Sequence, residues 1–307
     1  MKAARIHRFG PPDVIEVEEI PRPNPATGQV LVRVAAAGVA PWDALIREGQ
    51  SKVSPPPPLT LGSDMCGVVE AVGAGVSSFQ VGDDVYGVTN AQFVGANAEF
   101  AAASALMIAP KPKRLTRVEA ASVPVVAVTA WQMLFEHARP EAGQTVLILG
   151  AAGNVGAYAV QFAANARFHV VAVAGSNDVE YVRTLGATDV IDYRVTDFVD
   201  VVRSVDVVID TVGGDARERA FGVLKPGGIL VTVVSTDFVP ARADVRSAFF
   251  YADVTTQRLS AISGLLESGN VIPQVGSVVP LEQVRTAHEM LAGAPHRRGK
   301  IMLDVAT

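Results

Sequence analysis

The stretch LILGAAGNVGAYAVQFAA, residues 147–164, passes from an apolar run through a glycine-spaced turn into a helical pattern of apolar residues. The apolar run predicts a buried strand, and the spacing of the apolar residues after the turn predicts a helix. Such a turn is either a phosphate-binding turn or only a tight strand-to-helix corner. A second apolar run, residues 169–175, follows the helix directly. Because a dinucleotide-binding unit requires this order of elements, we favour the phosphate-binding interpretation.

Each small residue in the turn has a separate predicted role. Gly150 and Ala151 allow the chain to turn, and Gly153 lets a pyrophosphate approach the backbone. Gly156 lets the helix pack closely on the strand. The backbone N–H groups at the positive end of the helix would hold the phosphate. The predicted phosphate-binding residues are Gly150, Ala151, Gly153, Asn154, Val155 and Gly156.

The end of the second strand bears on which nucleotide binds. An Asp or Glu there binds the ribose hydroxyls of NAD and repels the additional phosphate of NADP. This strand ends in AGS, residues 174–176, without an acid, which favours NADPH over NADH. Tyr193 and Arg194, at the end of the next short strand, would then face the phosphate. Asp178 repels that phosphate if it points inward, or it only begins a helix, where a carboxylate is favourable.

Composition places the chain among folded globular proteins. Its 307 residues, 49% of them hydrophobic and 19% charged, suffice for two domains with apolar cores. A net charge of -5 without a Lys/Arg cluster argues against a nucleic-acid partner. Cys66 is the only cysteine, which excludes an internal disulfide and a cysteine-rich zinc site. The N-terminal segment lacks the apolar core of a secretion signal and no apolar run can cross a bilayer, so we expect a cytoplasmic protein that does not bind a membrane.

The distribution of strand and helix patterns divides the chain. Short strand-like segments such as residues 30–39 and 81–88 predict a β-rich, barrel-like domain in the first third. After about Pro124, apolar strands alternate with helical stretches, which predicts an α/β domain with a doubly wound parallel sheet. Residues 299–305 resemble the early strands and are expected to return to the first domain. The predicted domains are residues 1–123, residues 124–265 for the dinucleotide-binding domain, and residues 266–307 for the C-terminal return.

Several motifs occur in one order along nearly the whole chain. They are VLVRVAAAGVAPWDALIREG (30–49), LGSDMCGVVEAVGAGVSSFQVGDDVYG (61–87), AASVPVVAVTAW (120–131), the glycine turn, LGATDVIDYR (185–194) and RGKIML (298–303). With these motifs the chain resembles zinc-independent members of the medium-chain dehydrogenase/reductase superfamily, in the quinone oxidoreductase-like group. The resemblance implies a GroES-like barrel made by both ends of the chain and an inserted Rossmann domain. It also implies that NADPH binds in the cleft between them.

The resemblance further implies roles for single residues. It places Thr129 beside the nicotinamide and brings Lys300 towards the cofactor from the returning strand. Residues implied to line the cofactor at two strand ends are Val212, Gly213, Val234 and Ser235. Those implied around the adenosine phosphate are Ser176, Tyr193 and Arg194. Asp178 departs from the group's pattern, because quinone oxidoreductases usually have a lysine at this place.

The same resemblance predicts that no metal is bound. Zinc-dependent relatives have a cysteine in the segment that matches GVAPWD, and a histidine and a glutamate in the segment that matches LGSD. Here these positions hold Ala40, Ser63 and Asp64. A catalytic zinc ion commonly needs three protein ligands, and neither Ala40 nor Ser63 is suited to be one. The five histidines show no ligand spacing.

Without a metal, hydride transfer depends on positioning, and the proton can come from water or a mobile donor. Quinone oxidoreductases usually have Asn in the place of Ala40 and Tyr in that of Leu45, so two cleft-lining groups are missing. The candidate substrate-binding residues are Trp42, Asp43, Asp64, Asn90 and Phe93, and the candidate proton donor is Tyr86. The two rings either stack on a flat substrate or pack in the barrel. The two carboxylates act as acids or fix loops by hydrogen bonds.

The resulting hypothesis is an NADPH-dependent oxidoreductase that reduces a quinone or another α,β-unsaturated carbonyl compound by direct hydride transfer. Two alternatives stay open: an enoyl or alkenal reductase with the same chemistry, and a nucleotide-binding sensor or structural protein with little turnover. The family pattern suggests a homodimer joined through edges of the Rossmann sheets. SAFFYADV, residues 247–254, is the candidate edge strand, although it is equally compatible with burial inside one subunit.

Overall fold

The structure is a computed structural model, and it describes residues 1–236, 240 and 242–306. The chain divides into two compact units. Unit 1 comprises Met1–Val125 and Asp253–Thr307, and unit 2 comprises Val126–Ala252. Unit 1 is rich in β-strands and unit 2 alternates strands with helices, so the predicted fold class is confirmed.

Unit 1 contains two sheets whose strands are mostly antiparallel. Its strands are β1 (Lys2–Ile6), β2 (Ile15–Glu19), β3 (Gln29–Val39), β4 (Leu59–Thr60), β5 (Asp64–Val72), β6 (Asp84–Val88), β7 (Phe100–Ser104), β8 (Ile108–Pro110), β15 (Val275–Pro280) and β16 (Lys300–Asp304). The larger sheet has the order β15-β16-β3-β5-β6-β8, with β7 also paired to β3, and the smaller sheet has the order β2-β1-β4.

Strand β3 is central to the larger sheet. It pairs with β5 on one side, and Gly67 is needed there because a Cβ atom would lie 2.2 Å from the carbonyl oxygen of Arg33. On its other side β3 pairs with β16, where Ile301 lies opposite Val39. Ile301 is buried in the same apolar core as Val32. The C-terminal segment therefore completes the sheet of unit 1, as its strand pattern predicts.

The helices of unit 1 are α1 (Pro41–Arg47), α2 (Arg117–Ala121), α8 (Thr256–Glu267) and α9 (Val284–Leu291). Helix α8 belongs to this unit, whereas the sequence assigned residues up to 265 to the dinucleotide-binding domain. The N–H of Thr256 donates to the carbonyl oxygen of Leu106 at 2.8 Å, and the Tyr86 hydroxyl donates to that of Leu259 at 2.9 Å. The predicted boundary was too late because an amphipathic helix does not reveal which sheet its apolar face covers.

Unit 2 is a parallel sheet with helical connections. Its strands are β9 (Thr145–Leu149), β10 (His169–Ala174), β11 (Asp189–Asp192), β12 (Val205–Asp210), β13 (Leu224–Thr232) and β14 (Arg246–Phe249). Their order is β11-β10-β9-β12-β13-β14, and every adjacent pair is parallel. The order reverses between β9 and β12, and ligands of such sheets bind beyond the carboxyl ends of the strands at this point. Within the described part of the chain, β14 is an edge strand that includes residues 247–249 of the segment 247–254, whereas residues 250–254 do not form a strand.

The helices of unit 2 connect successive strands. They are α3 (Pro124–Trp131, which starts in unit 1), its π-helical continuation Gln132–Ala138, α4 (Asn154–Asn165), α5 (Val179–Thr184), α6 (Phe198–Val201) and α7 (Gly214–Ala220). Helix α4 follows the glycine turn, and residues 156–163 of it are buried. Among the described residues, no helix has both the length and the apolar character needed to span a membrane.

Candidate active site

The glycine turn connects β9 to α4 with a geometry that explains two of its glycines. Gly150 has a φ of +73°, and a Cβ atom there would lie 2.5 Å from Thr211 Oγ1. A Cβ atom on Gly156 would lie 2.2 Å from the carbonyl oxygen of Gly150. Both positions therefore require glycine for the packing of the protein itself. Ala151 is buried in the turn and donates its N–H to the carbonyl oxygen of Val173 at 3.1 Å.

Gly153 is different, because the packing of the protein asks little of it. Its φ is −74°, and a Cβ atom would make only a slightly tight contact of 3.3 Å with the carbonyl oxygen of Gly150. No side chain caps the start of α4. The N–H groups of Asn154 and Val155 in the first turn of this helix thus offer donors to an anion.

A cavity of about 450 Å³ lies at the carboxyl ends of the strands of unit 2. Of the residues predicted to bind a cofactor, it is lined by Gly150, Gly153, Tyr193 and Val212. Asp178 also lines it. The lining also includes residues that were not predicted, among them Asp197, Phe198 and Arg219. Arg219 forms ion pairs with Asp197 and Asp215, and its guanidinium lies 5.5 Å from the centre of the Phe198 ring.

The predicted adenosine-phosphate residues cluster beside the end of β10. A Cβ atom on Gly175 would lie 3.5 Å from the Tyr193 hydroxyl and 3.6 Å from Arg194 Nε. Tyr193 and Arg194 are exposed, and the Arg194 guanidinium lies 5.9 Å from the centre of the Tyr193 ring. The hydrogen bond from Arg194 to Tyr193, with smaller contributions from Asp192 and Asp178, raises the pKa of Arg194. Ser176 begins the short helical turn that ends at Asp178.

A buried carboxylate organises the loops after β12 and β13. Asp210 accepts hydrogen bonds from the N–H groups of Val212 at 3.0 Å and Gly213 at 2.8 Å, and from the Thr232 hydroxyl at 2.8 Å. A Cβ atom on Gly213 would lie 2.8 Å from Val234 Cγ1. The residues after β12 and β13, which were expected to line the cofactor, therefore lie next to each other. The carbonyl oxygen of Ser235 accepts a long bond of 3.4 Å from Arg217. Asp210 was not predicted, although an acid at the end of the apolar strand VVID is a sequence signal for such a residue.

In unit 1, four of the predicted residues form a second cluster, the Lys300 cluster. They are Trp42, Asp43, Asp64 and Lys300. The Lys300 ammonium is paired with the Asp64 carboxylate, and both side chains are only 1% exposed. Lys300 Nζ lies 4.7 Å from the centre of the Trp42 ring, and Trp42 Nε1 donates to Ser63 Oγ at 3.2 Å. Gly38 leaves room for this arrangement, because a Cβ atom there would lie 2.7 Å from Lys300 Cε.

Asp43, the fourth predicted residue in this cluster, follows Trp42 on α1. One of its oxygens accepts the N–H of Ala40 at 2.8 Å, at the start of the helix. Its other oxygen, Oδ1, has no hydrogen bond of normal geometry. Complete burial raises the pKa of Asp43 to about 7, an effect that the Ala40 N–H and the Lys300 ammonium oppose.

Tyr86 does not have the surroundings of a proton donor. Its side chain is fully buried, and its hydroxyl is bonded to the carbonyl oxygen of Leu259 at 2.9 Å and to Ser263 Oγ at 2.8 Å. Burial is also the main cause that raises the pKa of Tyr86 well above its usual value. These contacts argue against the predicted catalytic role, and the sequence missed them because α8 was assigned to the other domain.

Asn90 and Phe93 lie in a loop that is held by local contacts. The Asn90 side chain donates to the carbonyl oxygen of Val94 at 2.9 Å and accepts the N–H of Gln92 at 3.0 Å. Phe93 has a φ of +59° and packs partly against the core of unit 1. Thr129, in α3, is only 5% exposed. The hydrogen bonds of the Asn90 side chain thus lie within its own loop, whereas Phe93 and Trp42 pack against the same apolar core.

Of the three positions that the resemblance matches to zinc ligands, only Asp64 carries a strong ligand atom. Ala40 has no donor atom, and Ser63 accepts the Trp42 indole N–H. The Asp64 carboxylate is paired with Lys300 through Oδ2 and accepts the N–H of Val125 at 2.9 Å through Oδ1. A metal ion would thus have to compete with the Lys300 ammonium for the Asp64 carboxylate.

Among the described residues, one other group has metal-ligand chemistry. His7, Glu16 and Glu18 have ligand atoms within 4.8 Å of one another, but Glu18 is already paired with Arg5. This group lies on the surface, on β2 and just after β1, and shares no residue with the Lys300 cluster.

Comparisons with known proteins cover both units. Residues 26–113 match the family described as Alcohol dehydrogenase GroES-like domain, and residues 185–303 match the family described as Zinc-binding dehydrogenase. The quinone oxidoreductase of Mus musculus is 32% identical over 99% of this chain and 97% of its own length. The 2-methylene-furan-3-one reductase of Solanum lycopersicum is 33% identical over 90% of this chain and 71% of its own length.

The structural comparison agrees with the sequence comparison. The solved structure of the quinone oxidoreductase from Coxiella burnetii has a TM-score of 0.91 to this chain, at 30% identity and over 99% of both chains. Identity and coverage of this size show common ancestry along the whole chain. This protein therefore belongs to the quinone oxidoreductase group of the medium-chain dehydrogenase/reductase superfamily, whose members are nicotinamide-dependent oxidoreductases.

Proposed function

We propose that this protein is an NADPH-dependent oxidoreductase that transfers a hydride to a quinone or another α,β-unsaturated carbonyl compound without a metal ion. The observation that carries the proposal is the contrast within the glycine turn. Packing of the protein requires glycine at 150 and 156, whereas Gly153 lines the cavity with little steric demand from the chain itself. A ligand that approaches the backbone is a further physical reason for this glycine.

The residues around the cavity fit a dinucleotide. The N–H groups of Asn154 and Val155 would hold the pyrophosphate, and Val212 and Val234, both about half exposed at 52% and 46%, offer apolar surface. When bound, NADPH supplies the hydride. The role of this chain is to hold the dinucleotide and keep water away from it.

The preference for NADPH rests on the charge near Gly175. Arg194, Tyr193 and Ser176 offer a cation and two hydroxyls to a 2′-phosphate, and the end of β10 carries no acid for ribose hydroxyls. Asp178 opposes a phosphate, because it lines the same cavity. We propose that the attraction of the 2′-phosphate by Arg194 outweighs its repulsion by Asp178, so that NADPH binds more tightly than NADH.

For the substrate, the Trp42 ring is the group with the best-defined surroundings. It is half-buried, anchored by Ser63 at its indole N–H and in contact with the Lys300 ammonium, so its orientation is fixed before a substrate arrives. A fixed indole ring offers a flat apolar face to a quinone or enone. Phe93 is proposed as a second such face, and Asn90, Asp43 and Asp64 as groups that shape the site. We do not propose Tyr86 as the donor, and the proton is assigned to water.

The chemistry of the donor set supports the proposal of metal independence. Of Ala40, Ser63 and Asp64, only Asp64 has a strong ligand atom, and it is paired with Lys300. We expect that dialysis against a strong zinc chelator leaves turnover within twofold of the untreated protein and that metal analysis finds much less than one zinc per chain. A loss of most activity that added zinc restores would contradict metal independence.

The first experiment is a fluorescence titration with NADPH and with NADH, followed by addition of 1,4-benzoquinone, 9,10-phenanthrenequinone and a 2-alkenal to the same sample. Tight NADPH binding and acceptor-dependent oxidation would support the proposal. Oxidation by the alkenal alone would favour the enoyl or alkenal reductase, an alternative supported by the likeness to the tomato reductase. Binding without oxidation by any acceptor would favour the nucleotide-binding sensor. If neither nucleotide binds, the glycine turn is only a strand-to-helix corner.

A further inference from the structure

Three ionisable side chains with almost no solvent exposure lie in the Lys300 cluster. Asp43 is 0% exposed, and Asp64 and Lys300 are each 1% exposed. They come from three different elements: α1, β5 and β16. Lys300 lowers and Asp64 raises the pKa of Asp43 by electrostatic interaction.

The charges of this cluster do not balance when all three groups are ionised. One ammonium compensates one carboxylate, and Lys300 is paired with Asp64. Asp43 receives the N–H of Ala40 on one oxygen only, while Oδ1 has no more than an interaction with the Gly62 N–H that falls short of a hydrogen bond. A buried, uncompensated carboxylate is costly, and a proton on it removes the cost.

Among the residues that the structure describes, no further cation is paired with Asp43. On its own helix, Arg47 donates to the carbonyl oxygen of Gly10 and to His288 on α9, and it is also paired with Glu48. The charged groups that act on Asp43 from other elements are Asp64 on β5 and Lys300 on β16. We therefore expect Asp43 to be protonated below about pH 7.

We propose that Asp43, as a neutral carboxylic acid, is the positioning residue that keeps the Lys300 ammonium between Asp64 and the Trp42 ring and thereby fixes the orientation of this ring. Loss of the proton gives Lys300 a second carboxylate to approach. Lys300 then leaves its place 4.7 Å from the ring centre, and the ring loses one of its two polar anchors. The consequence for catalysis rests on the proposed function, in which the Trp42 ring stacks on the substrate.

The test uses the fluorescence of Trp42, which reports the ring directly and needs no turnover. The chain has two tryptophans, so the variant Trp131→Phe leaves Trp42 as the only one. In this variant we expect the emission to change with a midpoint near pH 7, the value expected for Asp43. With Asp43→Asn added, the amide keeps the hydrogen bond from Ala40 but cannot ionise, and the emission should stay constant between pH 5.5 and 8.5.

Two controls separate this role from a merely structural one. Asp13→Asn, an exposed carboxylate changed in the same way, should leave the transition in place. Asp64→Asn removes the competing carboxylate, so that Lys300 pairs with Asp43; the transition near pH 7 should then disappear because Asp43 is ionised throughout. This second variant also serves if Asp43→Asn fails to fold.

The outcomes are distinguishable. A transition in the Trp131→Phe protein that is lost with Asp43→Asn supports the proposal, and the KM for the substrate should then rise several-fold above pH 7 in the wild type with little change in kcat. Absence of the transition, or its persistence in Asp43→Asn, overturns the proposal. If the transition behaves as expected but no acceptor is reduced at any pH, the proposed function fails and the positioning of Trp42 by Asp43 stands.

Discussion

At the scale of single residues, Gly153 distinguishes a phosphate-binding turn from a corner. A valine there adds a side chain on the cavity side. Its Cβ atom would lie 3.3 Å from the carbonyl oxygen of Gly150, which is a slightly tight contact. We therefore expect Gly153→Val to weaken NADPH binding at least tenfold, about 1.4 kcal/mol or more, while the unfolding midpoint changes little.

The matched control is Gly156→Ala in the same turn. Its Cβ atom would lie 2.2 Å from the carbonyl oxygen of Gly150, so the main effect should be a loss of stability of about 1–3 kcal/mol. Fluorescence titration and urea unfolding of both variants provide the measurement. Unchanged NADPH affinity in a folded Gly153→Val protein would refute the assignment of the turn.

The nucleotide preference depends on two opposite charges near Gly175. Asp178→Lys removes a carboxylate that lines the cavity and adds a cation, so the ratio of NADH to NADPH dissociation constants should rise about tenfold. Arg194→Ala should lower the same ratio. Asp200→Lys, the same charge change at an exposed position of α6, should leave it unchanged. If neither Asp178→Lys nor Arg194→Ala alters the ratio, the 2′-phosphate does not bind at this place.

The sequence predicted residues of the site where neighbours in space are also neighbours along the chain. Gly150 and Gly153 are close together in the sequence and line the cavity, and Val212, which the family resemblance placed at the cofactor, lines it as well. Phe198 and Arg219 were missed because they reach it from separate helices, which only the parallel arrangement of the strands brings together. The alternation of apolar and polar residues in a strand indicates its two faces, but it does not show which element covers each face. Tyr86 was therefore expected at the site, although α8 buries it.

At the scale of elements, the predicted strands were those with long apolar runs, and the missed ones were short or poor in β-branched residues. Strand β7 has the sequence FAAAS and depends on its pairing with β3, where Ala101 lies opposite Val32. Strand β4 has two residues, too few for any pattern. Such strands form because an edge of an existing sheet is available, a condition that local sequence does not contain.

The contact between α1 and α9 makes a prediction about acid stability. His288 is fully buried at α9 and accepts a hydrogen bond from Arg47 of α1 at 2.9 Å, and burial lowers its pKa to about 3. Its folded-state pKa lies below the unfolded value, so the unfolded chain binds the additional proton. Stability from neutral His288 is complete above about pH 6.5 and is lost as the pH falls towards 3.

We expect His288→Gln, which keeps an acceptor for Arg47, to reduce the loss of stability between pH 7 and 5 by about 2 kcal/mol relative to the wild type. Asp43 acts in the opposite sense over part of this range, because its raised pKa makes the folded state bind the proton. The comparison between variant and wild type cancels that contribution. Urea unfolding at both pH values is the measurement, with the exposed His296→Gln as control; an identical pH dependence in His288→Gln and wild type would contradict the assignment.

At the scale of the whole molecule, the free edge of the sheet in unit 2 predicts the oligomeric state. Strand β14 is paired on one side, with β13, among the described residues. Next to it Tyr251 is 64% exposed, with its ring centre 5.1 Å from that of Phe249. An open strand edge beside exposed aromatic rings favours pairing with a second copy about a two-fold axis. We therefore propose a homodimer that continues the sheet across β14.

Sedimentation of the wild type should give the mass of two chains, about twice 32.1 kDa. Tyr251→Lys places a charge beside the edge, where the two-fold axis would bring it close to its own copy, and so the dissociation constant of the dimer should rise at least tenfold. Val195→Lys is the control, because Val195 is 79% exposed and lies just beyond β11, at the opposite end of the same sheet. A dimer weakened by Val195→Lys and not by Tyr251→Lys would move the interface to the β11 edge, since only the edge that carries the contact is sensitive to added charge.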